Sequence, residues 1–222
     1  MTSGPFASTG PDAHLPGKHD QSSHGRKKKS RGRTPEQFDA AVAAGASGKT
    51  ALKLAKFRAA NDEIADAVRE YGSIGARVTN DTLRRFKGRI PEGPEERFSR
   101  RVTEGMDGAM SHQSLAQDIV VRRGVKDLHA TLGGRTPTVG MEWTDHGCGS
   151  ASTRNETYGI TGITNGGGQL RILVPKGTRA ISGENLDPGE VVVDRGVRYR
   201  AVRVSEPDDY GVQHLDVEVL ND

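Results

Sequence analysis

Asp118-Ile119-Val120-Val121-Arg122-Arg123-Gly124-Val125 is where the chain changes character. Three β-branched residues in a row followed by Arg-Arg-Gly read as a strand ending in Arg-Gly, and the apolar pattern differs on its two sides. Toward the N-terminus the pattern is helical. Phe98, Val102 and Met106 stand at steps of four and predict a helix from Pro94 to Met110, with a shorter one around Asn80 to Lys87. Leu54, Phe57, Ile64, Val68 and Tyr71 recur at intervals of three, four or seven, which predicts one amphipathic helix from Ala51 to Tyr71. Thr34 as N-cap, Pro35 at the first helical position and Gln37 as the partner of a capping box start a helix running to Ala44. Toward the C-terminus, Leu170 to Val174, Glu190 to Val193, Tyr199 to Val204 and Leu215 to Leu220 are β-rich runs broken by Gly, Pro and Asn. In the last run Leu215, Val217 and Val219 alternate with Asp216 and Glu218, as in a half-buried strand. Asn165-Gly166-Gly167-Gly168 reads as a hairpin loop. Helices first and strands second predict an α+β fold.

With 222 residues the chain has the length of one modest domain and a tail. Nothing in it approaches the roughly 18 uninterrupted apolar residues of a membrane span, and the first 30 residues lack the apolar stretch of a secretory signal. Residence in a membrane and signal-peptide export are therefore not expected. The single cysteine, Cys148, excludes an internal disulfide framework and a multi-cysteine zinc site. The net charge of +3 is unevenly spread: seven basic and two acidic residues put +5 on residues 1–33, which leaves −2 on the rest. Residues 1–33 have no apolar periodicity and read as a disordered basic tail. The stretch 18–33, with Arg26-Lys27-Lys28-Lys29-Ser30-Arg31-Gly32-Arg33, suits nonspecific contact with nucleic acid through phosphates or a merely solubilising role. The division expected from these shifts is a tail (1–33), a helical linker (34–50) and a larger domain (51–222).

Several patterns carry little. Gly45-Ala46-Ser47-Gly48-Lys49-Thr50 ends like a phosphate-binding loop, but its first glycine position is Ala43 and a helix precedes it. His14, His19 and His24 have no cysteine or carboxylate cluster near them to make a metal site. Cys148 near His146 lacks the geometry of a nucleophile and its base, and Trp143 is a core anchor.

Three pieces read together carry chemistry. They are the Arg123-Gly124 strand end, the turn Asp145-His146-Gly147-Cys148-Gly149 leading into Ser150-Ala151-Ser152, and Asp187-Pro188-Gly189-Glu190 opening an aliphatic strand. They supply a cation for a diphosphate, hydroxyls that can orient a carboxylate, and a carboxylate that can stabilise a ribosyl cation.

In this order the pieces resemble the mono-ADP-ribosyltransferases of the Arg-Ser-Glu class, in particular bacterial exoenzymes and their phage-encoded relatives. Thr79-Asn80-Asp81-Thr82-Leu83-Arg84 is similar to the family's Asn-x-x-Leu-Arg helix. The tail segment Leu15 to Gly25 looks like an element of actinobacterial phage head proteins. The resemblance implies a helical half followed by a mixed or antiparallel two-sheet β-core, with NAD as substrate. It implies that Arg123 and Arg84 hold the diphosphate, with Gly124, Asn80 and Ser152 also at the cofactor, while Ser150 orients Glu190 and Glu190 is catalytic. It further implies a macromolecular acceptor, expected to be a host protein, and a phage-particle or bacterial cytoplasmic location. The family places Glu or Gln two residues before the catalytic glutamate, where this chain has Pro188; Asp187 stands one residue earlier. The acceptor loop is expected over Ala180 to Gly189. Two other outcomes stay open at this point: an NAD glycohydrolase, and a nonenzymatic phage head component that touches DNA through its tail.

Overall fold

The computed structural model describes residues 32–154, 163, 165–183 and 185–221. The readings placed on residues 1–31, including the three tail histidines, lie outside the described residues. The compact unit from residue 31 onward contains all the elements below.

The helical half comprises α1 (Pro35–Ala44), α2 (Gly48–Ala55), α3 (Asp62–Glu70), α4 (Ala76–Arg85) and α5 (Arg97–Ser111). Helix α1 starts as the sequence predicts: the Gln37 amide donates to the Thr34 hydroxyl at 3.3 Å, and the Thr34 amide donates to the Gln37 side chain at 2.9 Å. The single helix expected over Ala51 to Tyr71 is two helices. Lys56 and Phe57 leave the helical path to pair with Ser182, and Asn61 opens α3 by accepting the Ile64 amide at 2.9 Å. Periodicity missed the break because Leu54, Phe57, Ile64 and Val68 face the core from both segments. The helix expected over Asn80 to Lys87 begins earlier, at Ala76, after a π-helical turn (Tyr71–Gly75) interrupted by the nonhelical Ser73. Gly72 and Gly75 are required there, since a Cβ on them would lie 2.2 Å from the Asn185 carbonyl and 2.3 Å from the Glu70 carbonyl.

Eight strands follow, with the short helix α6 (Leu128–Thr131) after the first: β1 (Ile119–Val125), β2 (Glu142–Asp145), β3 (Gly149–Ser152), β4 (Gly168–Val174), β5 (Ala180–Ile181), β6 (Glu190–Val193), β7 (Val197–Val204) and β8 (Gln213–Leu220). Their order is β2-β7-β8-β4-β1-β3-β6-β5, antiparallel throughout except for β4 with β8. A single residue pair, Arg122 with Ser152, joins the five-strand part to the three-strand part β3-β6-β5. This is the α+β architecture that the sequence predicts; where the resemblance implies two sheets, the two parts are joined at that one pair into a single eight-stranded sheet. Among the described residues, the strands on the two sides of Asn165-Gly166-Gly167-Gly168, β3 and β4, flank β1 on opposite edges instead of pairing as a hairpin, and Gly168 already belongs to β4.

Strand β1 is buried on both faces, which explains its unbroken apolar run. Ile119 and Val121 enter the main core with Leu170, Val191 and Val217, while Val120 packs with Phe38 of α1, Leu173 and Val202. The helices form a second core in which Val68, Tyr71, Val102, Met106 and Met110 meet Cys148, Ile181, Leu186 and Val192. That contact seats α3 to α5 against the three-strand part.

Candidate active site

Strands β1, β3 and β6 lie side by side and bring the predicted Arg, Ser and Glu motifs together. Ser152 is opposite Glu190 in the β3–β6 register and Ser150 is opposite Val192, so the two serines and Glu190 share one face by the two-residue period of a strand. Both Ser152 and Glu190 are 4 % exposed. Ser152 is thus the cross-strand neighbour of Glu190, and Ser150, the serine that the resemblance assigns to orienting it, stands one step along the same face. The Ser150 hydroxyl lies 3.3 Å from that of Tyr71.

Glu190 is also held from its own turn. The Asp187 amide donates to its carboxylate at 3.1 Å, and the Glu190 amide donates to the Asp187 carbonyl at 2.9 Å. With Pro188 at the second position and Gly189 at φ +95° in the third, residues 187–190 make a type II turn, which needs a glycine there. A side chain on Gly189 would also collide with Arg154, whose Nε would be 2.8 Å away. The stretch expected as an acceptor loop, Ala180 to Gly189, thus opens with strand β5 and is anchored midway by buried Leu186.

The two predicted arginines converge on a residue to which the sequence reading gave no role. Arg84 of α4 donates through Nε at 2.9 Å and Nη2 at 3.1 Å to the Asp145 carboxylate, and Arg123 of β1 donates to it at 2.9 Å. The Gly147 amide adds a fourth hydrogen bond at 3.0 Å. Burial pushes the Asp145 carboxyl up, but Arg123, Arg84 and the Gly147 amide outweigh it and hold the group below the usual carboxylate range. Burial would likewise lower the Arg123 guanidinium, and the Asp145 charge reverses that. Asp145 therefore spends two of Arg84's five donors and one of Arg123's, and anchors both guanidinium groups on one carboxylate.

Asn80 sits one turn before Arg84 on α4 and is 8 % exposed. Its Nδ2 donates to the Tyr71 hydroxyl at 3.0 Å and the Cys148 carbonyl at 3.1 Å, and its Oδ1 accepts the Cys148 amide at 2.8 Å. It latches α4 to the turn that leads into Ser150. Gly147 and Gly149 of this turn permit the close approach: a Cβ on Gly147 would lie 2.8 Å from the Asn80 Oδ1, and one on Gly149 would lie 3.0 Å from the Tyr199 hydroxyl and 3.2 Å from Arg123 Nη1. Burial raises the phenols of Tyr71 and Tyr199, the latter to about 12, so both remain protonated at neutral pH. Trp143 stacks on Tyr199 with ring centroids 5.5 Å apart. Gly124, half-buried in β1, pairs with Gln169.

Tyr71, Asp145 and Tyr199 are the residues that sequence reasoning passed over. Tyr71 and Tyr199 follow apolar patterns, which conceal the partner of a buried hydroxyl. Asp145 carried a signal in its place at the head of a glycine turn, where a carboxylate commonly accepts backbone amides. Buried Cys148 has its thiol pushed up by burial, which keeps it protonated. Among the described residues, no group of three or more His, Cys, Asp or Glu side chains is arranged to hold a metal ion, and no helix is long and apolar enough to cross a membrane.

No protein-family model matches the chain, and no curated protein matches it by sequence. Solved structures do match. The C3 exoenzyme of Clostridium limosum superposes with a TM-score of 0.60 at 18 % identity, over 83 % of this chain and 95 % of that one. C3stau2 from S. aureus, solved with NAD, gives 0.58 at 16 % identity, over 87 % and 100 %. Plx2a, an ADP-ribosyltransferase toxin from Paenibacillus larvae, gives 0.57 at 18 % identity, over 72 % and 87 %. The likeness is one of fold.

Proposed function

We propose that the chain is an NAD-dependent mono-ADP-ribosyltransferase that breaks the bond between nicotinamide and ribose and passes ADP-ribose to a macromolecular acceptor. The observation that carries this reading is the buried Glu190–Ser152 pair beside two arginines fixed on one carboxylate, in a fold shared with ADP-ribosyltransferases, one of them solved with NAD. The residues fit NAD as substrate. The donors that Arg84 and Arg123 do not give to Asp145 suit a diphosphate.

In this reading Arg84 and Arg123 grip the diphosphate and set the position of the ribose. The Asp187 amide holds the Glu190 carboxylate, Ser152 and Ser150 lie on the same face as it, and the Ser150 hydroxyl lies beside that of Tyr71. As nicotinamide departs, positive charge develops at ribose C1′. A carboxylate already oriented and sheltered from water stabilises that charge without reorganising. Asn80 acts through the turn it latches. Pro188 favours a second reading in which water is the acceptor, because proline has no side-chain donor or acceptor with which to orient one.

One experiment separates these readings. The chain and its Glu190→Gln variant are incubated with NAD labelled on the adenylate half, in a bacterial lysate. Glu190→Gln is expected to slow nicotinamide release on the order of 100-fold or more. Label on a macromolecule supports transfer, and nicotinamide release without label supports hydrolysis. Equal nicotinamide release by both proteins would remove Glu190 from catalysis.

A further inference from the structure

Lys49, Lys53 and Lys56 are spaced by four and three along α2 and its C-terminal cap, which places them on one face, and Arg58 follows. No Asp or Glu occurs from Ala40 to Asn61. Among the described residues, no hydrogen bond or ion pair engages these four cationic side chains. The segment is firmly placed. Ser182 donates its amide to the Ala55 carbonyl at 2.7 Å and its hydroxyl to the Leu52 carbonyl at 2.7 Å, and it accepts the Phe57 amide at 3.1 Å. This stitching puts Lys53 and Lys56 on the rim of a cleft of about 390 Å³ that is also lined by Leu52, Leu186, Pro188 and Glu190. A neighbouring cleft of about 340 Å³ shares Lys56 and Gly183 with it and includes Arg58.

We infer that this cleft receives the acceptor, and that the acceptor is a single-stranded nucleic acid that presents a base to Glu190 and its phosphates to the lysine stripe. The inference rests on the transferase reading above. Exposed Pro188 and half-buried Leu52, above the buried Leu186, offer an apolar surface for the flat face of a base, and exposed lysines beside it match the backbone charge. Asp187 is the exposed carboxylate on this rim among the described residues, facing Lys53 and Lys56 in this cleft and Arg58 in its neighbour. Glu190 is 4 % exposed at the cleft wall, so the edge of a stacked and paired base cannot reach it, whereas an unpaired base can. A cationic arginine acceptor would meet the repulsion of Lys53 and Lys56. In the transfer, a base nitrogen forms a bond to ribose C1′ as the bond to nicotinamide breaks. The electron pair of that bond leaves with neutral nicotinamide, and an exocyclic amine acceptor releases one proton to solvent.

The test has two arms, both on the full chain. In the first, fluorescence anisotropy over a salt series measures binding of single-stranded oligonucleotides by the wild type, by Lys53→Gln/Lys56→Gln, and by Lys126→Gln/Lys176→Gln, which loses the same charge elsewhere. Each lost phosphate contact lowers the salt slope by about 0.7, so the cleft pair is expected to lower it by about 1.4 and the control pair to leave it unchanged. Equal slopes for the two pairs overturn the inference. In the second arm, labelled NAD is supplied with oligonucleotide and lysate protein together. Nuclease-sensitive label supports the inference, and label confined to protease-sensitive material overturns it while leaving the transferase reading intact. If the wild type releases no nicotinamide, the transferase reading fails and the acceptor role with it, and the slopes then report only whether the cleft binds a strand.

Discussion

Removing the Asp145 carboxylate would leave Arg84 and Arg123 facing each other with no anion between them. Asp145→Asn is expected to destabilise the fold by about 3 kcal/mol, the low end for breaking a buried ion pair, because the Arg84 side chain is 39 % exposed. If the two guanidinia serve to grip a diphosphate, KM for NAD should rise more than kcat falls, a split that general loosening of the fold would not produce. The sign with pH follows from the lowered carboxyl. Asp145 ionises more readily folded than unfolded, so its contribution is fully present above its unfolded value near 4 and fades as pH falls through the lower folded one. Urea midpoints measured from neutral pH down through this range should converge for wild type and Asp145→Asn, and a gap that stays constant would contradict the ion-pair account.

Helix packing sets where these side chains meet. Helices α3 and α5 cross so closely at Gly105 that a Cβ there would lie 2.1 Å from the Ala67 Cβ. Gly105→Ala is therefore expected to cost about 1–3 kcal/mol through overpacking, despite the better helix propensity of alanine. Ala67→Gly in the same chain should recover much of that loss, and denaturation of the two single variants and the double closes the cycle. A purely additive double variant would show that the contact is not the cause. The break between α2 and α3 shows what periodicity misses. Apolar spacing reports which face is buried, not whether the backbone between two buried positions remains helical, and here pairing with Ser182 draws Lys56 and Phe57 out.

At the scale of the molecule, α1 is tied to the β-core by both packing and charge. Phe38 is fully buried against Val120, Leu173 and Val202, and Asp39 joins Arg171, Arg203 and Asp216 in one network. Just before the helix, Arg33 meets Glu218, which is 1 % exposed and also pairs with Arg200. Phe38→Ala is expected to lower the stability of the whole unit by about 3–5 kcal/mol, in a single transition seen by both far-ultraviolet circular dichroism and Trp143 fluorescence. If residues 34–50 act only as a linker, the Trp143 transition would not move.

The sequence alone determined the order of helices and strands, the buried strand at Ile119, the N-terminal capping box, and the Arg, Ser and Glu motifs, because each is written in local spacing and residue type. Tertiary structure alone decided that Asp145 gathers Arg84 and Arg123, that Ser152 faces Glu190, and that α2 delivers lysines to the cleft beside that glutamate. These contacts join residues far apart in the chain. Strand register and helix packing place them, and neither leaves a periodic trace in the residues that finally meet.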